Sequence, residues 1–402
     1  MFLRALACFA CAAFSISGVA TAQTNTPLKE KEISGSFGKE IPVIITSNDT
    51  NVGALANKAF GAHGAYKITN QATNKIQLTK NSDTSITLVC EMPNAGKRAT
   101  QNIVGVDWRD TTLRACDAAV TITGESQKLR PFFLGKLAFV SDRTGKKEIY
   151  VSDLFLNSVR PVTNLNSISN TPHWTRDGKE VLFTTYVNNN FTDIYAVNTS
   201  TGKLREVIVG VRGTTSGAVM NPLSGTLAFS SSARGNMDVY TTTSGQKEAK
   251  AIVKTDDVDT DPAWSADGLR LAFVSGPNGR PGVYTVSSSG GATVRIPTGY
   301  NYATEPAWNP VDITKIAFTF QTGRTFGIGV VDTASRDTTA VTKNGNFQHA
   351  SWCADGRHIV ATRESGKSYS LVLIDTESGK TTALSGPQMA NCTEADYYFS
   401  KN

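Results

Sequence analysis

Six positions stand three residues before a recurring, mostly aromatic landmark, and together they concentrate acids and an imidazole. They are Thr171, Gly217, Asp261, Glu305, His349 and Glu394, before Trp174, Met220, Trp264, Trp308, Trp352 and Tyr397. Three carboxylates and one imidazole in a repeated slot can neutralise a basic partner, accept its hydrogen bonds, or move protons. Asn170, Thr260, Thr304 and Gln348 stand in the same turns and add polar groups. Other chemistry is sparse. The chain has only 4 His, and His63, His173, His349 and His358 are scattered, so a multi-His metal centre is hard to build. His173 and His349 both fall on channel strands and could approach each other, which keeps a lyase-like or metal reading open. No Gly-x-Ser-x-Gly elbow, P-loop or dinucleotide fingerprint occurs, and no cofactor is expected.

The elements that position this slot follow from a repeat. The segment Asp261-Pro262-Ala263-Trp264-Ser265-Ala266-Asp267-Gly268, then Leu271-Ala272-Phe273, returns around Trp174, Trp308 and Trp352, with Met220 filling the remaining slot. Successive landmarks lie 44 to 46 residues apart, and Phe139, Phe183, Phe229, Phe273 and Phe318 keep the same period in a second register. Each unit reads as four short strands: a Pro-x-Trp run, the Leu-Ala-Phe run after a turn, a run such as Asp193-Ile194-Tyr195, and a final strand. Asp-Gly pairs at Asp177-Gly178, Asp267-Gly268 and Asp355-Gly356 suit the tight turn between the first two. Four strands per unit is the arithmetic of a β-propeller blade. The first unit, from Leu134, lacks its Pro-x-Trp strand, while Asp396 to Phe399 is an orphan first strand. Pairing the two closes a ring of six blades and removes exposed edges. The first strand of a blade lines the channel, so the acid slot becomes a ring, on the opposite face from the Trp slot by strand alternation. The Trp and Tyr slots read as blade packing, and Glu148, Asp193 and Asp238 as turn holders.

The predicted fold class is mainly β, a six-bladed propeller with a small N-terminal α/β domain. Residues 1-22 read as a cleavable signal peptide: Arg4, an apolar Ala5 to Phe14, then Ala20-Thr21-Ala22. Cys8 and Cys11 lie inside the apolar stretch, too early for acylation. Residues 23-130 form the α/β domain, with strands near Ile41, Lys75, Thr84 and Thr100, a short helix from Val52, and a helix from Trp108 to Ile122 capped by Asp107. Residues 131-402 form the propeller. Of 6 Cys, four remain in the mature chain, and an even number in an exported protein favours disulfides. Cys90 with Cys116, and Cys353 with Cys392, is the economical pairing. The balance of 40 Lys+Arg against 34 Asp+Glu, without basic runs, argues against nucleic-acid binding. No later segment is apolar enough to span a bilayer.

Taken in order, the leader, the small α/β domain, a helix ending Ala119-Val120-Thr121-Ile122-Thr123-Gly124, and the Pro-x-Trp…Asp-Gly…Leu-Ala-Phe…Asp-Ile-Tyr blades resemble the TolB family along the whole mature chain. TolB is the periplasmic component of the Tol–Pal system. The resemblance implies a monomeric periplasmic scaffold, not an enzyme, that supports envelope integrity and cell division. It implies binding of the peptidoglycan-associated lipoprotein Pal across the propeller, and of TolA through the N-terminal end. The first domain departs from the family: it is shorter and carries Cys90 and Cys116. Two readings of the acid ring stand: polar side chains hydrating a wet channel, or a recognition ring, since Thr304-Glu305-Pro306 resembles the family's partner-binding rim. The alternative function is a carbohydrate- or cell-wall-binding or -cleaving propeller using the same ring.

Overall fold

A computed structural model describes residues 40–400, apart from 187–190, 244–248, 343 and 387–388. The expected signal peptide lies outside the described residues. The chain opens with β1 (Ile41–Ser47), α1 (Thr50–Ala62), β2 (Tyr66–Ile68), β3 (Asn74–Ser82), β4 (Ser85–Met92), β5 (Lys97–Val104) and α2 (Trp108–Thr123). The strands form one five-stranded sheet in the order β2-β1-β3-β4-β5. β1 runs parallel to β2 and β3, which α1 permits as a crossover, while β3, β4 and β5 are antiparallel neighbours. Alternation along β3 and β4 turns Ile76, Leu78, Ile86, Leu88 and Cys90 into one buried face. Val52, Leu55 and Phe60 of α1 and Leu113, Cys116 and Val120 of α2 join that core. Each helix starts on an aspartate: Asp49 accepts from the N–H groups of Asn51 and Val52, and Asp107 from those of Arg109 and Asp110.

Six four-stranded antiparallel sheets follow. The first blade combines Lys136–Ser141, Glu148–Asp153 and Arg160–Pro161 with the chain's last strand, Cys392–Tyr398. In that closing pair Tyr397 stands opposite Leu137. The next five blades begin on Ser169–Trp174, Thr215–Met220, Asp259–Trp264, Ala303–Trp308 and Asn346–Trp352. The second strand of each blade is sandwiched, and Phe139, Phe183, Phe229, Phe273 and Phe318 are essentially fully buried. Each such burial contributes roughly 2–3 kcal/mol. The tryptophans pack between blades. Trp264 Nε1 donates to Val219 O of the preceding blade at 3.2 Å, and Trp352 Nε1 to Ala307 O at 3.0 Å. Glu148 holds its turn by accepting from Thr163 Oγ1 and from the N–H groups of Leu165 and Asn166.

The expected disulfides are not formed: Cys90, Cys116, Cys353 and Cys392 are all free and buried. Register excludes the second pair. Cys353 follows Trp352, whose slot corresponds to Tyr397, whereas Cys392 begins the closing strand opposite Ser141. The two therefore sit toward opposite ends of adjacent strands, on the order of 15 Å apart at ~3.3 Å per residue, beyond the ~7 Å limit between bridged Cα atoms. Cys90 and Cys116 share the core between β4 and α2, where burial pushes the Cys90 thiol up to about 12 and that of Cys116 well above its ordinary value. Buried thiols of this kind behave as small hydrophobic side chains.

Candidate functional site

The acid slot is built by a backbone device repeated six times. In the first strand of every blade, pairing with the second strand slips at this position. The bulge residue takes a left-handed conformation: Thr171 (φ 47°), Gly217 (65°), Asp261 (52°), Glu305 (52°), His349 (55°) and Glu394 (53°). Glycine adopts this freely, but the other five cost about 1 kcal/mol or more each. The bulge also corrects the expected strand alternation. An extra residue interrupts the two-residue period, so the slot's orientation is set by the bulge and not by counting back from the tryptophan.

The slot residues are not equivalent. Glu394 Oε2 accepts from Thr171 N of the next blade at 2.7 Å. Glu305 Oε2 accepts from His349 N of the next blade at 2.8 Å and from Thr319 Oγ1 at 2.7 Å, while Glu305 Oε1 lies 3.1 Å from His349 Nδ1. These two carboxylates staple one blade to its neighbour. His173 approaches Asp396 Oδ2 at 3.1 Å, and the same oxygen accepts from Trp174 N at 2.8 Å. His173 and His349 thus each take a separate carboxylate, and among the described residues neither enters a three-ligand cluster. Asp261 differs from Glu305 and Glu394 in being exposed to the channel. Surrounding protein and then the charges of Glu305 and Glu394 push its carboxyl up to about 6, offset in part by His349. Burial opposes charge on His349, but Glu305, Glu394 and Asp261 raise it above its ordinary value. Asn170 is mostly buried; Thr260 and Thr304 are half-buried on the same strands. Asp396 is missing from the sequence-derived set, although it stands next to the Tyr397 slot and its bonds cross to the second blade.

A second constellation lies where the N-terminal sheet unit meets the first and sixth blades. Asp117 of α2 accepts from three consecutive N–H groups, Phe132 and Phe133 at 2.8 Å and Leu134 at 3.0 Å. Burial pushes its carboxyl up to about 7 against the pull of those bonds. His63, just after α1, packs edge-on against His358 with ring centroids 4.6 Å apart, and Phe132 stacks on His358 at 4.3 Å. His358 Nδ1 lies 2.6 Å from Asp355 Oδ2, and its Nε2 lies 3.3 Å from Asp375 Oδ2. Arg357 donates to that same Asp375 oxygen through Nε at 2.9 Å and Nη2 at 2.8 Å. A Cβ on Gly64 would stand 2.2 Å from both Asp375 Oδ2 and Ser378 Oγ, so only glycine fits here. Of these residues only Asp355 carries a repeat signal, as part of the Asp355-Gly356 turn, and the scattered histidines gave no hint that two would meet.

Comparison with known proteins agrees with the ring architecture. A protein described as TolB homolog from Chlorobaculum tepidum is 34% identical over 129 residues, covering 32% of this chain and 28% of that protein. Another TolB homolog, from Chlorobium luteolum, is 29% identical over 145 residues, covering 35% of this chain and 32% of that protein. The chain thus spans about a third of the length of these curated relatives. The crystal structure of TolB from Acinetobacter baumannii superposes with a TM-score of 0.76 at 15% identity, covering 89% of this chain and 96% of that one. At that identity the likeness shows the fold. The family model described as the TolB beta propeller domain matches residues 122–393, well over half of the sequence, and the chain belongs to that family.

Proposed function

We propose that the protein is a periplasmic interaction scaffold that binds a Pal-like lipoprotein at the channel mouth, and a TolA-like protein through its N-terminal end. The observation that carries the reading is the ring of left-handed bulge residues, in which the Asp261 carboxylate faces channel solvent. Five strained non-glycine residues in one slot are costly to keep, and such strain concentrates at working sites. Membership of the TolB propeller family supports the choice of partner. Among the described residues no helix is long and apolar enough to cross a membrane. The ring suits a partner segment presenting basic or N–H groups. The remaining slot residues, Asn170, Thr171, Thr260, Thr304, Glu305, His349 and Glu394, shape the wall around it.

Asp261 is the cleaner probe of this site. Replacing Glu305 also strands the His349 N–H, so its loss mixes folding with binding. Calorimetric titration of the parent and Asp261→Ala with a Pal-like lipoprotein ectodomain is the test. The expected result is a loss of about 1–3 kcal/mol in affinity at unchanged melting temperature, with an association rate that falls with salt. Equal binding by both proteins would leave the ring a hydrated channel. Cleavage of peptidoglycan fragments by the parent protein would favour the carbohydrate reading instead.

A further inference from the structure

We propose that His63 Nε2, His358 Nε2 and Asp375 Oδ2 form a binding site for a divalent transition-metal ion of the Zn²⁺ class, clamping the N-terminal sheet unit to the sixth blade. One ligand atom from each residue lies within 4.8 Å of the other two, and all three residues are buried. His63 Nε2 is buried without a hydrogen-bond partner, and His358 Nε2 meets only Asp375 Oδ2, at 3.3 Å. Buried nitrogens are normally satisfied, so an orphan imidazole nitrogen beside a second imidazole and its carboxylate calls for a ligand. The separation of His358 Nε2 from Asp375 Oδ2, 3.3 Å, equals the edge of a tetrahedron whose metal–ligand bonds are about 2.0–2.1 Å.

The surroundings fit as well. Asp355 at His358 Nδ1 fixes the ring so that its Nε2 points at the site, the carboxylate–histidine arrangement that orients metal ligands. Asp375 Oδ1 is pinned by the N–H groups of Glu377 and Ser378, so the ligand carboxylate is preorganised. Arg357 bridges Asp375 and Glu377, leaving Asp355, Asp375 and Glu377 opposed by a single guanidinium. Besides that guanidinium, His358 stands between Asp355 and Asp375, and a divalent cation at its Nε2 brings one more positive charge than the proton it replaces. Two local arrangements must adjust. Arg357 Nε and Nη2 already donate to Asp375 Oδ2, at 2.9 and 2.8 Å, so the ion shares that oxygen with the guanidinium. Ala65 N–H lies 3.2 Å from His63 Nδ1, where coordination through Nε2 places the ring proton. Two imidazoles and a carboxylate select Zn²⁺ over Ca²⁺ or Mg²⁺, which prefer all-oxygen sites.

The test uses the full mature chain, stripped with chelator and titrated with Zn²⁺ alone. One ion per chain is expected, with a rise in melting temperature that grows with free Zn²⁺. Ca²⁺ should not compete, and Co²⁺ in its place should give the visible absorption of a four-coordinate site. His63→Gln should weaken Zn²⁺ binding by about 100-fold or more, exceeding the loss usual for residues behind the ligands. Because His63→Gln also gives up the buried ring contacts to Tyr66, Phe132 and His358, the metal-free melting temperature falls somewhat, and the readout is the loss of the Zn²⁺-dependent rise above that baseline. The pair His173→Gln and His349→Gln, in the channel, should leave binding intact. No stoichiometric Zn²⁺, or Zn²⁺ binding that survives His63→Gln, overturns the proposal. Should His358→Gln not fold, Asp375→Asn provides the second ligand variant, with the same loss expected.

Discussion

The channel ring and the seam between the N-terminal unit and the propeller both gather histidines and carboxylates, yet they are assembled in opposite ways. The ring places one slot of one repeat around an axis, so its members are related by period and its left-handed bulge is repeated six times. The seam joins His63 and Asp117 from the first unit to Asp355, Arg357, His358 and Asp375 from a single blade, each used once. Glu305 and Glu394 of the ring are partly open and bond to neighbouring blades; Asp117, Asp355 and Asp375 of the seam are buried. A ring can therefore lose one member and keep its geometry, whereas the seam depends on every member.

The closing strand touches both regions, so removing it is the most severe way to test the contrast. Asp396 bonds into the second blade, and Tyr397 donates from its hydroxyl to Phe132 O beside the seam at 2.6 Å. Truncation from Asp396 onward also exposes Lys136, Leu137 and Ala138 as an unpaired edge. A loss exceeding ~4–5 kcal/mol is expected, measured as the fall in thermal and urea midpoints. An unchanged midpoint would mean that the ring does not depend on its last strand.

Next in size come single carboxylates that serve different numbers of donors. Asp117→Ala leaves three backbone N–H groups without their acceptor and should cost about 3 kcal/mol, while Glu394→Ala strands the N–H of Thr171 and should cost about 1 kcal/mol. Denaturant unfolding of the two variants ranks them. If Glu394→Ala proves the more damaging, the ring is the stricter of the two regions and the contrast is reversed.

The difference between the regions also explains what was legible in the sequence. Trp174, Trp264, Trp308 and Trp352 and the Phe series carry the period, so the blades and the acid slot could be read from spacing alone. The left-handed bulge could not, because Thr, Asp, Glu and His in the slot give no glycine signature; only Gly217 hints at it. Nor could spacing show that Glu305 and Glu394 are already bonded to the next blade. The seam was invisible because His63 and His358 belong to different units and no pattern relates them. The pairing of Cys353 with Cys392 failed for a related reason: closeness in sequence says little about position along the strands of a ring. The three-residue β2 is too short for any periodic signal.

Two glycines make a finer comparison. A Cβ at Gly64 meets Asp375 Oδ2 and Ser378 Oγ at 2.2 Å, whereas one at Gly217 (φ +65°) meets nothing within 4 Å. Gly64→Ala should therefore cost about 1–3 kcal/mol through overpacking at the seam, and Gly217→Ala about 1 kcal/mol through backbone strain alone. Equal midpoints for the two variants would show that the seam relaxes as readily as the open slot.

The smallest expected effect concerns proton binding by Asp261. Its carboxyl is raised from an ordinary 3.8 to about 6 by the protein around it and by Glu305 and Glu394. A raised folded value means that the native chain holds the proton more tightly than the unfolded chain. The associated stability is present below pH 3.8, fades between about 4 and 6, and is gone above. His349 adds a contribution of the same sign at higher pH, present below 6.5 and lost as the pH rises through its own raised value. Because Asp261 is open to channel water, the first contribution is modest, and it is best read directly. Carbon-13 NMR of the Asp261 carboxyl should titrate near pH 6, and Asp261→Asn should remove the decline in melting temperature between pH 4 and 6. Partner binding should strengthen over the same interval, as the carboxylate gains the charge that a basic segment recognises. Titration near pH 4 would mean that water in the channel isolates the acids from one another, and that the ring acts as separate side chains and not as one electrostatic site.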